Sequence, residues 1–284
     1  MTIQLAAVET VPKPWGSIDL QPWSNRTPDG AAIGEIWFRH AGPDPALLVK
    51  LLFTTQPLSI QVHPDDAYAR SVGLPRGKTE SWYVVSATAD AKVAVGLTRR
   101  LSAQQLRTAI EDGSIADLVA WHPVKAGDFI YVPAGTIHAL GAGLVIAEIQ
   151  QNSDATFRMF DYGRKRELHV DAAVAVARAE PVAWAPASNA TGPLTANPFF
   201  VVERLNMSGG SSRIIDASQE TWLLVLGGSA QVGNVVAETG DAIYMDAVFD
   251  EISAGPGGLR GLLAYVGPKQ IPMVSDNPDR RDAA

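Results

Sequence analysis

Apolar runs of four to eight residues recur along the chain, with Gly and Pro between them. The runs at 46–53, 58–63, 81–85, 92–97, 128–132, 144–149 and 199–205 read as β-strands. So do those at 221–226, 229–236, 242–245 and 261–266. Many short strands at close spacing predict a sandwich or barrel. Two segments carry a helical period instead. In the segment at about 102–120, Ser102 and Gln105 form a capping box, and Leu106, Ile110, Ile115, Leu118 and Val119 share a face. The segment is either one helix or two short ones split at Gly113. A second helix, at about 171–180, is rich in Ala and Val and stops at Pro181. Residues 181–198, rich in Ala, Pro, Asn and Thr, read as a connector. The chain is thereby expected to divide near 190, into residues 1–190 and 191–284, with a loose tail from Val274.

A weak repeat crosses that division. Gly127-Asp128-Phe129-Ile130-Tyr131-Val132 and Gly240-Asp241-Ala242-Ile243-Tyr244-Met245 are each a Gly-Asp turn feeding a strand. Eleven residues after each glycine stand His138 and Glu251. Two related β units follow, only the first carrying the histidine.

The 284 residues are 46% apolar and 19% charged, which predicts a packed core. With 23 Lys+Arg against 30 Asp+Glu the net charge is −7. No nucleic-acid partner is expected of such a chain, and an anionic ligand would need a local pocket. No apolar stretch approaches the ~20 residues of a membrane span. Glu9, Pro12 and Pro14 stand where a signal peptide needs an apolar run. No membrane partner and a cytoplasmic location are the expectation. There is no cysteine, so a bound metal must be held by His, carboxylate, amide or water.

Alternation along 58–63 puts Ser59, Gln61 and His63 on one face. The result is either a hydrogen-bonded strand end or two convergent ligands. Glu80 opens an apolar run on the face of Trp82 and Val84, and points either to solvent or into a barrel. His138 follows Gly127 with the spacing G-x5-P-x-G-x2-H, through Pro133 and Gly135. This spacing resembles the second motif of the cupin superfamily.

The wider series narrows that resemblance. Leu47-Leu48-Val49-Lys50-Leu51-Leu52, Gln61-Val62-His63-Pro64-Asp65-Asp66, Gly77-Lys78-Thr79-Glu80-Ser81-Trp82 and Pro133-Ala134-Gly135-Thr136-Ile137-His138 follow in order. Then come Gln151-Asn152-Ser153-Asp154-Ala155-Thr156-Phe157-Arg158, Asp161-Tyr162-Gly163-Arg164 and Arg166-Glu167-Leu168-His169. Together they resemble the type I phosphomannose isomerases of short bacterial form, densely from about residue 12 to 170. The resemblance implies a mainly β fold of two cupin-like jelly-roll (double-stranded β-helix) units with a short helical insertion. The second unit, 191–284, would be degenerate.

The same resemblance implies Gln61, His63, Glu80 and His138 as ligands of one Zn²⁺ per chain, other divalent metals also suiting them. It implies interconversion of mannose 6-phosphate and fructose 6-phosphate through an enediol. Arg158 would stabilise charge on oxygen. Lys78, two residues before Glu80, would serve proton transfer or phosphate binding. Glu148 and Asp154 are further acid–base candidates. Phosphate is expected at Arg164, Lys165 and Ser59, within the cluster Arg164-Lys165-Arg166. His40, His122 and His169 are expected to be structural. Three alternatives stand beside this reading: a non-catalytic metal- or sugar-binding cupin, an isomerase of another sugar, and an Fe(II) oxygenase. Gln61 beside His63 argues against the last. Oligomeric state is not legible.

Overall fold

The computed structural model describes residues 1–24, 30–42, 44–187 and 192–267. The expected dividing point at 190 and the tail from Val274 lie outside them.

Two antiparallel sheets face each other in the first part of the chain. Six strands run in the order Ala7–Ser17, Ile33–Arg39, Leu47–Thr54, Leu144–Gln151, Glu80–Ala87, Phe129–Val132. Five run in the order Phe157–Phe160, Ile60–Val62, His138–Leu140, Lys92–Leu97, Val119–Pro123. Between them, Leu52, Trp82, Val84, Val93, Val95, Leu140 and Ile146 fill one end of the interior. The other end is polar. The outer face of the five-stranded sheet is covered by the helices, with Leu106, Ala109, Ile110 and Ala173 on Ile60, Val62, Ala94 and Leu97.

The second part forms one branched sheet. Thr2–Leu5, Ala242–Asp246, Thr221–Val232, Val248–Val266, Phe200–Met207 and Thr195–Ala196 are neighbours in that order. Ser212–Ala217 and Val235–Glu238 are added at Val248–Val266 and Thr221–Val232. The long strands bend where their register slips at Gly227–Gly228, opposite Gly258. A Cβ on Gly228 would lie 1.9 Å from the Gly258 carbonyl, so only glycine permits this approach. The sheet curls round Leu205, Leu223, Val225, Ile243, Met245, Leu263 and Tyr265. It packs on the six-stranded sheet through Trp222, Leu224, Tyr244 and Leu262 against Phe38, Val49, Leu51 and Ile149. Residues 2–5 are built into the sheet that is otherwise formed by residues 195–266.

The Gly-Asp repeat is structural. Gly127 N–H donates to Val84 O (2.8 Å), Val84 N–H to Asp128 O (2.9 Å) and Lys125 N–H to Asp128 Oδ2 (3.0 Å). Gly240, Val225, Asp241 and Glu238 make the same three bonds at 2.9, 2.9 and 2.9 Å. The φ angles of the two glycines are 94° and 93°. The turns therefore superimpose Val84 on Val225, and counting back along each strand puts Thr221 where Glu80 stands.

The helix at 102–120 is two, Ala103–Glu111 and Ile115–Leu118, with the capping box formed and Gly113 at φ 82° between them. It ends earlier than expected, because Val119–Pro123 pairs with Lys92–Leu97 and places His122 in a strand. The later helix covers only Val170–Val176. Residues 178–180 are used as extended backbone instead: Arg178 N–H donates to Gly135 O, and the carbonyls of Ala179 and Glu180 accept from Leu101 and Leu97. Ala7–Ser17 is a strand despite Pro12 and Pro14, which are tolerated because it lies at the edge of its sheet.

Candidate metal centre

Gln61 and His138 are directly opposed across two antiparallel strands of the five-stranded sheet. His63 lies just past the end of Ile60–Val62, and Glu80 begins a strand of the facing sheet. The Pro133–His138 turn is tied to this strand end, since Gly135 N–H donates to the carbonyl of His63 itself. Lys78 N–H donates to Pro64 O, which fixes the approach of the segment carrying Glu80.

The four side chains converge. Nε2 of His63 is 3.2 Å from Glu80 Oε2, and Nε2 of His138 is 3.4 Å from Glu80 Oε1. The Gln61 amide lies 3.3 Å from His138 Nε2, and Ser59 Oγ meets its other end at 2.9 Å. A half-turn of that amide, which the Ser59 hydroxyl accommodates, directs its oxygen to the cluster. His63, Glu80 and His138 all offer ligand atoms within 4.8 Å of one another, and all are buried.

This donor set fits a divalent cation. His63 Nδ1 is 2.8 Å from Ala155 O and His138 Nδ1 is 2.9 Å from Thr136 O. Each backbone carbonyl calls for a proton on Nδ1, which leaves the Nε2 lone pair facing the carboxylate. Lone pair against carboxylate is repulsive without a cation between them. His63 Nε2 accordingly finds no hydrogen-bond donor although buried. Burial, then the nearby Lys78 cation, pushes the His63 pKa down to about 3, and burial likewise lowers His138. Both are ready-made neutral ligands.

A cavity of about 220 Å³ opens over Gln61, Glu80 and His138. Lys78 lines it, with Nζ 3.1 Å from Glu80 Oε2. Burial opposes the Lys78 charge, but Glu80, Glu148 and Asp154 outweigh it and raise its pKa. Lys78 is therefore a fixed cation and donor. A chain of charges, buried beyond the half-buried Lys13, enters from the other wall, Lys13 to Glu35 (3.1 Å), Glu35 to Lys50 (3.6 Å) and Lys50 to Glu148 (3.3 Å). Burial and the Glu80 charge raise the Glu148 pKa against the pull of Lys50 and Lys78.

Of the residues expected from sequence, Ser59, Gln61, Lys78, Glu80, His138, Glu148, Asp154 and Arg158 line this cavity, with His63 behind them. Arg158 Nη1 donates to Glu167 O, while its Nε is buried without a partner. Arg164 and Lys165 are not in the cavity wall. Arg164 is spent on Asp161 and the Pro57 carbonyl, and Lys165 is exposed. Arg166 lines the cavity instead. Sequence reasoning missed Lys13, Glu35 and Lys50. His40 and His122 stack on Tyr244 and Trp184, and His169 Nδ1 accepts from Arg158 N–H. In the second part Glu251, at the repeat position of His138, accepts from Ser253 Oγ, and Thr221 replaces Glu80. The interior of that sheet is apolar, filled by Leu205, Leu223, Val225, Ile243, Met245, Leu263 and Tyr265.

No protein-family model matches the chain. It is 42% identical over 175 residues to the mannose-6-phosphate isomerase of Streptococcus mutans, covering 57% of this chain and 55% of the relative. A mannose-6-phosphate isomerase of Bacillus subtilis is 40% identical over 161 residues, 52% of this chain and 51% of that one. The match thus spans about half the length of these curated relatives. In structure, a mannose 6-phosphate isomerase from Bacillus subtilis superimposes with a TM-score of 0.75 at 26% identity, over 93% of this chain and 99% of the other. A zinc-bound mannose 6-phosphate isomerase shares the fold at TM-score 0.67 and 16% identity, over 94% and 100%. The chain is a cupin-fold homologue of the type I mannose-6-phosphate isomerases.

Proposed function

We propose that the chain is a metal-dependent aldose–ketose isomerase that interconverts mannose 6-phosphate and fructose 6-phosphate. The observation that carries this reading is the buried His63–Glu80–His138 cluster, open on one side to a cavity rich in fixed cations. Gln61, His63, Glu80 and His138 would hold one Zn²⁺ or a similar divalent ion. When bound, the ion supplies Lewis-acid polarisation of the sugar oxygens.

The chain's own side chains account for the remaining steps. Isomerisation moves a proton between C2 and C1 of the sugar and builds charge on the adjacent oxygens. Glu148 is the proposed proton carrier, because burial raises its carboxyl above the usual carboxylate value and Lys50 holds it in place. Lys78, held protonated, donates to a sugar oxygen rather than acting as base. Arg158, whose buried Nε has no partner, faces the developing enediolate charge. Arg166, with Ser59, receives the phosphate. This supplies the local anion site that a chain of net charge −7 requires. A phosphorylated sugar does not cross membranes, which supports the proposed cytoplasmic location. Among the described residues no helix is long and apolar enough to cross a membrane.

The test is turnover. Protein loaded with Zn²⁺, Mn²⁺ or Co²⁺ is incubated with fructose 6-phosphate, and mannose 6-phosphate is followed. Its appearance at a metal stoichiometry near one supports the reading, and its absence with all three ions ends it.

A further inference from the structure

Asp161 ends the strand Phe157–Phe160 with a buried carboxylate, its side chain 2% exposed. Arg166 grips it at two points, Nε to Oδ2 at 2.7 Å and Nη2 to Oδ1 at 2.6 Å. Arg164 Nε shares Oδ1 at 3.1 Å, and Arg164 Nη2 crosses to the carbonyl of Pro57, two residues before Ser59. The chain reaches this geometry through a turn at Tyr162 (φ 51°) and Gly163 (φ 80°), the former a sparsely populated conformation for a tyrosine. The turn persists because several bonds determine it at once: Arg164 N–H to Asp161 O, Arg166 N–H to Arg164 O and Phe160 edge-on to Tyr162. The same loop fixes Arg158, through Glu167 O on its guanidinium and His169 on its backbone.

Arg166 thus enters the cavity wall already held by its Nε and Nη2 edge, with the Nη1 amino group left for a ligand. Two guanidiniums on one carboxylate leave the loop with a surplus positive charge. An arginine fixed before binding loses little rotamer freedom when an anion arrives.

From this geometry we infer that Asp161 is a positioning residue, one that presets Arg166 to receive the anionic group of a sugar phosphate without itself touching substrate. The inference rests on the isomerase reading for its substrate, though not for its anion.

The test uses the metal-loaded full chain in four forms: native, Asp161→Asn, Arg166→Ala and the double variant. Inorganic phosphate binding is measured by calorimetry, and kcat and KM are measured with fructose 6-phosphate. Asp161→Asn is expected to weaken phosphate binding and raise KM by about tenfold, the scale of one lost charge-assisted contact, with kcat within about twofold and metal content unchanged. Because Asp161 acts through Arg166, the double variant should bind phosphate no worse than Arg166→Ala alone. Additive losses, or native phosphate affinity in Asp161→Asn, overturn the inference. Should Asp161→Asn misfold, Arg166→Lys keeps Asp161 paired but breaks the two-point grip. It is then expected to show the same tenfold loss, and native affinity there is equally fatal. Coupled loss of phosphate binding without any turnover in the native protein would sink the isomerase reading and leave the clamp standing. Turnover without that coupling does the reverse.

Discussion

Lys50 and Glu148 are direct partners across two adjacent strands, and their side chains meet at 3.3 Å with both buried. Each interrupts an otherwise apolar run. Removing one leaves the other charge uncompensated in a closed environment, which costs about 3–5 kcal/mol. Lys50→Met should therefore lower the urea midpoint strongly, while Lys50→Met combined with Glu148→Leu should recover most of the loss. A native midpoint for the single variant would show that the pair is not buried as described.

Metal retention should separate the two halves of the chain. His138→Ala is expected to lose bound metal as read by elemental analysis, while Glu251→Gln, at the matching repeat position, keeps the full complement. Metal at 100 times its Kd stabilises by about 2.7 kcal/mol, so a chelator should lower the melting temperature of the native protein and not that of His138→Ala.

Arg158→Ala is expected to keep its metal and to lose turnover by about 10²–10³-fold, the scale for removing one donor aimed at developing charge. Glu148→Gln should also keep the metal and abolish turnover. If Glu148→Gln turns over normally, the proton travels by another group.

Acid should destabilise the metal-free protein from about pH 6.5 downward. His63 titrates near 3 in the folded chain against an ordinary 6.5, because burial and then Lys78 oppose its charge. Between those values the unfolded chain binds the proton and the folded chain does not, so stability falls with pH. His138 and, below 4.5, Glu80 act in the same sense, while the raised Glu148 acts in the opposite one. Urea unfolding with chelator at pH 7 and pH 5 measures the slope, and His63→Gln should flatten it.

Gln61, His63, Glu80 and His138 were legible because each lies in a short contiguous block whose strand parity survives folding. The Lys13–Glu35–Lys50–Glu148 ladder was not. Leu47–Thr54 is buried at every position, with Val49, Leu51 and Phe53 in one core and Lys50 facing the cavity. In such a strand alternation is invisible, and a lysine reads as a blemish in an apolar run. The choice among Arg164, Lys165 and Arg166 was equally hidden. It depends on the positive φ at Tyr162, which no pattern of polarity announces.

Thr2–Leu5 pairs in register with Ala242–Asp246, Thr2 opposite Asp246 and Leu5 opposite Ile243, while Ala7–Ser17 belongs to the sheet that holds Lys50 and Glu80. A translating ribosome therefore releases this strand some 240 residues before its neighbour exists, roughly ten to fifty seconds at ordinary elongation rates. Throughout that interval the half that carries His63, Glu80 and His138 can assemble its own two sheets, but the strand that precedes them stays unpaired. Its capture is a long-range closure that comes late in folding, and it fastens one half of the molecule to the other by backbone hydrogen bonds as well as by side-chain packing.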